Sequence, residues 1–333
     1  MLEQSRQRLS DAHDLVMLDL DGVVYVGSEA VPGAVEALEA ARGEGCRIAF
    51  ITNNAARTPQ AVAEHLVELG IPAEAADVVT SAQAAARLLR ERLGEGVPVA
   101  ALGAEGLLTA LADQGLRAVA VTDEEAVALV TGYGPDVVWR DIMRAAVRVR
   151  DGLWWVASNT DGTLPTPYGE APGHGVLVDL LRRFSRVDPV VAGKPARPLL
   201  DETIRRVGGE RPLLVGDRLD TDIEGANAAG LPSLLVLTGV TGLPELVAAP
   251  APQRPTYIAE DLRGLGETHV APSSDGTSAE LDGWRAEVSD GALKVRGRGS
   301  VGDWWRVVAT AAWTHLDTSG EPVRIEELTP PAG

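Results

Sequence analysis

Two periods alternate along the chain. Apolar runs of four to six residues read as buried strands, and between them apolar positions recur every three to four residues, as on one face of a helix. Leu15–Leu18 opens the series as a strand. A helix over 32–44 follows, with Val35, Leu38 and Ala41 on one face, and Gly45 stops it. Residues 47–51 form the next apolar strand. Thr58 and Pro59 then start a helix reaching Gly70, Thr58 as N-cap and Pro59 in the first helical position. Strand, helix, strand, helix is the pattern of a parallel sheet with right-handed crossovers.

The alternation continues from residue 80 as a second unit. Helices are expected over 81–93, 105–113, 139–150 and 176–184, with a short apolar segment at 127–131 and strands over 97–102, 117–121 and 153–157. The last strand delivers Ser158, Asn159, Thr160 and Asp161 to a loop closed by Pro165 and Pro167. After residues 189–192, strands at 212–215 and 233–237 and helices ending near Val207 and Ala229 return to the first pattern. Residues 269–278 read as a linker. Beyond it, a hairpin around Asp290-Gly291 precedes a helix over 301–316 and a strand over 323–326. The expected class is α/β: a Rossmann-like parallel core over 1–79 and 187–268, an inserted α/β cap over 80–186, and a small α+β C-terminal domain over 279–333.

Composition fits this reading. With 333 residues the chain exceeds a usual single domain, and 45% hydrophobic content but only 4% aromatics suits α/β layers packed through small side chains. No apolar run approaches a membrane span and the first residues lack a signal-peptide core, so a cytoplasmic location is expected. Cys46 is the single cysteine, which fits a reducing compartment and burial as a small hydrophobe. A net charge of -18 argues against nucleic acid or an anionic membrane as partner.

The candidate chemistry lies where expected strands end, the usual ligand side of open α/β sheets. Asp19 and Asp21 break the run LVMLDLDGVV at i and i+2, although a buried carboxylate is costly unless compensated. Thr52, Asn53 and Asn54 follow the second strand, Lys194 sits in Gly193-Lys194-Pro195, and Asp217, Asp220 and Asp222 follow a later strand within GDRLDTD. Converging carboxylates repel unless a cation joins them, and hard oxygen ligands suit Mg²⁺. Several residues keep two readings: Asp220 as helix cap or metal support, Arg218 as partner of the acids or substrate contact, Asn54 as cap or substrate contact, His174 as exposed turn residue or substrate ligand.

The motifs DLDGV, TNN, GKP and GDRLDTDI, in this order, resemble the four motifs of the haloacid dehalogenase superfamily of aspartate-based phosphotransferases. Thirty residues separate Asp21 from Thr52 and 141 separate Thr52 from Lys194. The cap therefore follows the second motif, as in the branch holding nucleotidases and the phosphatases of pyridoxal phosphate, phosphoglycolate and glycerol 3-phosphate. The stretch 216–240 is similar to that of the glycerol-3-phosphate phosphatases. The resemblance implies Asp19 as nucleophile, Asp21 as acid and base and Lys194 as charge neutraliser, with Thr52 and the Asn53 amide as phosphoryl ligands. It implies Mg²⁺ on Asp19, the Asp21 carbonyl and Asp217, with waters held by Asp222. It also implies cap loops facing the substrate, hence Asn159, Asp161 and His174 nearby, and a small phosphorylated metabolite as partner, glycerol 3-phosphate first. The tail reads as a packing or oligomerisation module, so a homo-oligomer is a further expectation; the turn RGRGSVG loosely resembles an acyl-CoA site.

Overall fold

The computed structural model describes residues 1–166, 169–326 and 328–331; Pro167, read above as closing a loop, lies outside the described residues. The chain forms two compact units, 1–48 with 209–333, and 49–208.

In the first unit the strands Tyr257–Ala259, Ser233–Val236, Pro212–Gly216 and Leu15–Leu18 lie side by side in that order, all parallel. Leu15–Leu18 is buried throughout, as both faces of a central parallel strand must be. Leu18 stands opposite Val215, and the Asp19 amide still donates to the Val215 carbonyl at 2.9 Å. The ladder thus carries Asp19 one residue past the strand before the chain turns at Gly22, whose φ of 83° favours glycine.

The tail shares this unit's core. Four antiparallel strands, Ser273–Ser274, Ser278–Leu281, Trp284–Ser289 and Ala292–Gly297, include the expected hairpin. Its turn residues Asp290 and Gly291 have φ of 51° and 73°, the pair of positive values a tight two-residue turn of type I′ requires. One of these strands, Ser273–Ser274, lies in the stretch read as linker and a second, Ser278–Leu281, begins at its last residue, and the strand expected over 323–326 is reduced to one bridge between Arg324 and Ala292. The helix Val301–Ser319 is capped by the Ser300 hydroxyl, which accepts from the Asp303 amide. Trp304, Trp305 and Trp313 pack with Ile223, Leu235, Leu246 and Ile258 in one cluster. The Trp313 indole donates to the Leu246 carbonyl at 2.7 Å, and Arg254, its guanidinium against the Trp313 ring, binds Asp317 through both arms at 2.7 Å. The apolar stripe along this helix, Trp305, Val308 and Ala312 with Val301 at its start, is used for packing within the unit.

The second unit holds a five-stranded parallel sheet in the order Val190–Val191, Trp154–Ala157, Ala128–Thr131, Pro98–Leu102, Arg117–Val119. The strand Arg47–Thr52 runs into this unit, where its end pairs in parallel with Val78–Thr80. The helices Pro59–Glu68, Ser81–Leu93, Glu105–Asp113 and Trp139–Arg150 fall where the periodicity places them. Thr58 caps the first, accepting from the Ala61 amide, and a Thr80–Gln83 capping box starts the second. A short ribbon, Thr163–Thr166 with Gly169–Pro172, was not anticipated. Trp155 is buried with its indole donating to Thr131 Oγ1, while Trp154 lies under the Arg92 guanidinium, 4.3 Å from the ring centre. No helix among the described residues is long and apolar enough to cross a membrane.

Two histidines tie these cores to pH. Burial pushes His174 and His269 down to about 4, Arg306 adding to the effect on His269 by donating to its Nδ1 at 3.2 Å. Unfolded histidine titrates near 6.5, so between pH 6.5 and 4 the unfolded chain binds more protons than the native one and stability falls as the pH falls. The shift is worth roughly 3 kcal/mol per histidine once the pH reaches about 4. The thermal midpoint is therefore expected to drop between pH 7 and pH 5, and His174→Gln with His269→Gln should flatten that dependence; an unchanged slope in the double variant would contradict the assignment.

Candidate active site

In the first unit, Asp19, Asp217 and Asp222 each offer one carboxylate oxygen, and these oxygens all lie within 4.8 Å of one another. Asp217 and Asp222 are buried and Asp19 is half-buried. Backbone geometry makes the convergence possible. Asp217 follows the strand Pro212–Gly216, and its Oδ2 accepts from the Val240 amide at 2.7 Å. Asp222 lies in the helical turn Leu219–Ile223 and accepts from the Arg218 amide at 3.1 Å. Glycines supply the room: a Cβ on Gly239 would stand 2.0 Å from Asp217 Oδ2, one on Gly22 2.5 Å from the same atom, and one on Gly216 2.2 Å from the Asp222 Cβ. Three acids this close repel strongly in a partly dry site, and their donor set, all hard oxygen, fits a divalent cation such as Mg²⁺.

Asp21 differs from Asp19. It is exposed, and the Tyr25 hydroxyl donates to its carboxylate at 3.5 Å. Its carboxylate is not in the three-acid group, leaving the expected metal contact to its carbonyl. Asp220 is exposed and takes both arms of Arg218, at 3.1 and 2.9 Å, so this acid neither caps a helix nor joins the cluster. Arg218 is thereby the partner of an acid, one of its two readings.

The second unit gathers another group. Thr52 is buried at a strand end, its Oγ1 accepting from the Asn54 amide at 3.0 Å. Asn54 turns inward on its own chain, Oδ1 accepting from the amides of Ala56 and Arg57. Asn53, 8% exposed, is a hub. Its Oδ1 accepts from the Lys194 amide at 2.8 Å, and its Nδ2 donates to the Lys194 carbonyl at 3.0 Å and to Asp161 Oδ1 at 2.9 Å. Its carbonyl accepts from Asn159 Nδ2 at 2.7 Å and from Ser81 Oγ at 2.6 Å. Lys194 itself is 2% exposed.

The expectation for His174 is corrected in part. Its helix starts two residues earlier than the periodicity implies, and His174 lies in the first turn, 4% exposed, with Nε2 3.2 Å from Thr131 Oγ1. The exposed-turn reading fails because the flanking glycines let the helix end press on the preceding loop: a Cβ on Gly173 would stand 2.4 Å from the Asp161 carbonyl oxygen, and one on Gly175 2.2 Å from that of Thr160. The imidazole is thereby held in the unit's interior.

Sequence reasoning missed the loop 238–241. Besides the Val240 amide, it contributes the Thr238 hydroxyl, which donates to the Gly22 carbonyl, and the Thr241 amide, which donates to the Asp217 carbonyl at 3.2 Å. A glycine just past a strand end on the ligand side of the sheet was the available signal.

Known proteins match this chain. The profile of the haloacid dehalogenase-like hydrolases matches residues 16–117, and an HAD-hydrolase-like profile matches 191–265. A D-glycerol 3-phosphate phosphatase of Mycobacterium tuberculosis is 44% identical, over 96% of this chain and 91% of its own. The chain belongs to the haloacid dehalogenase-like hydrolases. Acid sugar phosphatase of Staphylococcus aureus is 33% identical over 74% of this chain and 94% of that protein. Among solved structures, the M. tuberculosis glycerol phosphate phosphatase in complex with magnesium superposes with a TM-score of 0.85 at 43% identity, covering 97% of this chain and 94% of that one. A 4-nitrophenylphosphatase of Thermotoga maritima gives 0.72 at 27%, covering 78% and 98%. Both the Rossmann-like α/β core and the four motifs agree with membership in this hydrolase family.

Proposed function

We propose that the chain is a Mg²⁺-dependent phosphatase that hydrolyses glycerol 3-phosphate through an aspartyl phosphate on Asp19. The observation that carries this reading is the convergence of Asp19 and Asp217, at the ends of neighbouring strands, with Asp222 of the helical turn Leu219–Ile223, in a family of haloacid dehalogenase-like hydrolases. Asp19, Asp217 and the Asp21 carbonyl would hold Mg²⁺, with Asp222 in support, and the ion would supply positive charge against the phosphate oxygens.

The Asp19 carboxylate attacks phosphorus, an O–P bond forms, and the bond from phosphorus to the alcohol oxygen breaks. Asp21 donates a proton to the departing oxygen, then takes one from the water that attacks phosphorus and restores Asp19. Thr52 and the Asn53 amide are assigned to the phosphoryl oxygens and Lys194 to their charge, roles that concentrate on the transition state of phosphoryl transfer.

For the substrate, the relative's activity is supported by the polar loop of residues 159–161. Asp161, half-buried, suits the hydroxyls of a polyol, whereas the carboxylate of phosphoglycolate would meet its charge; Asn159 is buried and holds the loop, its Oδ1 accepting the Asp161 amide. Stacking on pyridoxal or a base finds no help from Trp155, which is buried, or Trp154, which already carries Arg92. We assign residues 80–186 to the cap that selects the substrate and 1–79 with 187–268 to the catalytic core. Cys46, buried and pushed up to about 11 by that burial, is an inert thiol, consistent with a cytoplasmic enzyme. A panel of small phosphate monoesters compared by kcat/KM tests the reading: glycerol 3-phosphate should lead, and release of phosphate should stop with a chelator. If glycerol 3-phosphate ranks far below the others the substrate assignment fails, and chelator-resistant turnover would sink the metal-dependent mechanism.

A further inference from the structure

We infer that the Asn53 side chain is a positioning residue that ties the substrate-facing loop at Asp161 to the backbone of Lys194. The inference rests on the phosphatase reading and deepens it, because that reading gives a role to the main-chain amide of Asn53 and none to its side chain.

The carboxamide matches a peptide group. Its Oδ1 accepts the Lys194 N–H at 2.8 Å and its Nδ2 donates to the Lys194 C=O at 3.0 Å, so one planar group fixes both polar atoms of that residue. The second hydrogen on Nδ2 serves Asp161 Oδ1 at 2.9 Å. Asparagine is needed for this set, since aspartate lacks the donor and serine or alanine lacks the reach. Packing holds the clamp at close range: a Cβ on Gly193 would stand 2.4 Å from Asn53 Oδ1 and 2.7 Å from the Ser158 carbonyl oxygen. On the other side Asn159, whose Nδ2 donates to the Asn53 carbonyl, accepts the Asp161 amide on Oδ1 at 3.1 Å, and the Gly175 amide donates to the Asp161 carbonyl at 2.8 Å. Asp161 is thus seated by its own backbone and linked to the Lys194 backbone through the Asn53 side chain. An ammonium placed against a transferring phosphoryl group acts through its exact position, and displacement of about 1 Å costs turnover more than binding.

A substrate without a polyol separates this role from direct substrate contact. Acetyl phosphate carries the phosphoryl group but offers no hydroxyl to a polar loop. Asp161→Ala should lower kcat for acetyl phosphate and for glycerol 3-phosphate by the same factor, roughly tenfold. Loss with glycerol 3-phosphate alone, seen as a raised KM, would make Asp161 a substrate contact only and overturn the inference. Asn53→Asp puts a carboxylate against two acceptors, Asp161 and the Lys194 carbonyl, and should lower kcat on acetyl phosphate roughly thirtyfold. Adding Asp161→Asn gives that carboxylate a donor and should recover roughly tenfold in kcat over Asn53→Asp; no recovery would contradict the clamp. Should Asn53→Asp fail to fold, the Asp161→Ala comparison decides alone, since Asp161 is a half-buried loop residue. A wild-type protein without Mg²⁺-dependent phosphate release would instead refute the phosphatase reading, so the two failures are distinct.

Discussion

Asp19→Asn is expected to lower phosphate release by roughly four orders of magnitude or more while the protein stays folded. The amide has nearly the volume of the carboxylate, and Asp19 is only half-buried, so packing changes little. Two functions disappear together. A carboxamide is a poor nucleophile toward phosphorus, and it removes one of the three anionic oxygens that lie within 4.8 Å of one another. Relief of repulsion should leave the thermal midpoint of the metal-free protein equal to or above that of the wild type, since three converging carboxylates become two. Phosphate release with Mg²⁺ and the midpoint without it measure the two effects separately. Retention of even a tenth of the activity would remove Asp19 from the nucleophile's role.

Gly239→Ala should weaken Mg²⁺ binding on the order of a hundredfold without replacing any ligand. The added methyl would stand 2.0 Å from Asp217 Oδ2 and 2.5 Å from its Cγ, well inside contact distance, so carboxylate or loop must move. The carboxylate is already fixed by the Val240 amide at 2.7 Å, the next residue in the same loop. Movement of either therefore disturbs both. No positive φ contributes at Gly239, so the effect is steric and should grow from Ala to Val. Isothermal titration with Mg²⁺ alone reads it directly, free of turnover. An affinity within threefold of the wild type would show that the loop yields without cost.

The alternation of periods made most elements legible, because buried parallel strands and amphipathic helices announce themselves locally. The helices Ser81–Leu93 and Trp139–Arg150 and the Asp290-Gly291 turn follow from such local rules. The first turn of the helix His174–Ser185 did not, since its start depends on two glycines meeting a distant carbonyl layer. The strands Ser273–Ser274 and Ser278–Leu281 are polar and short, and only pairing reveals them. The tail's stripe on Val301–Ser319 indicated packing, but its partners, Ile223, Leu235 and Ile258, lie far off in sequence. At the site, strand-end acids were legible as residue types in a pattern. Arg218 paired with Asp220, and the Asn53 clamp on Lys194, depend on side-chain directions that no spacing encodes.

The central claim is that phosphorus becomes bonded to Asp19 during turnover. Rapid acid quenching of the wild-type enzyme with Mg²⁺ and glycerol 3-phosphate, followed by peptide mass analysis, tests it most directly. The account requires a phosphoryl group on the peptide bearing Asp19, formed and lost at rates compatible with kcat and absent from Asp19→Asn. Turnover with no phosphorylated peptide at any quench time, or with the phosphoryl group on another residue, would contradict it.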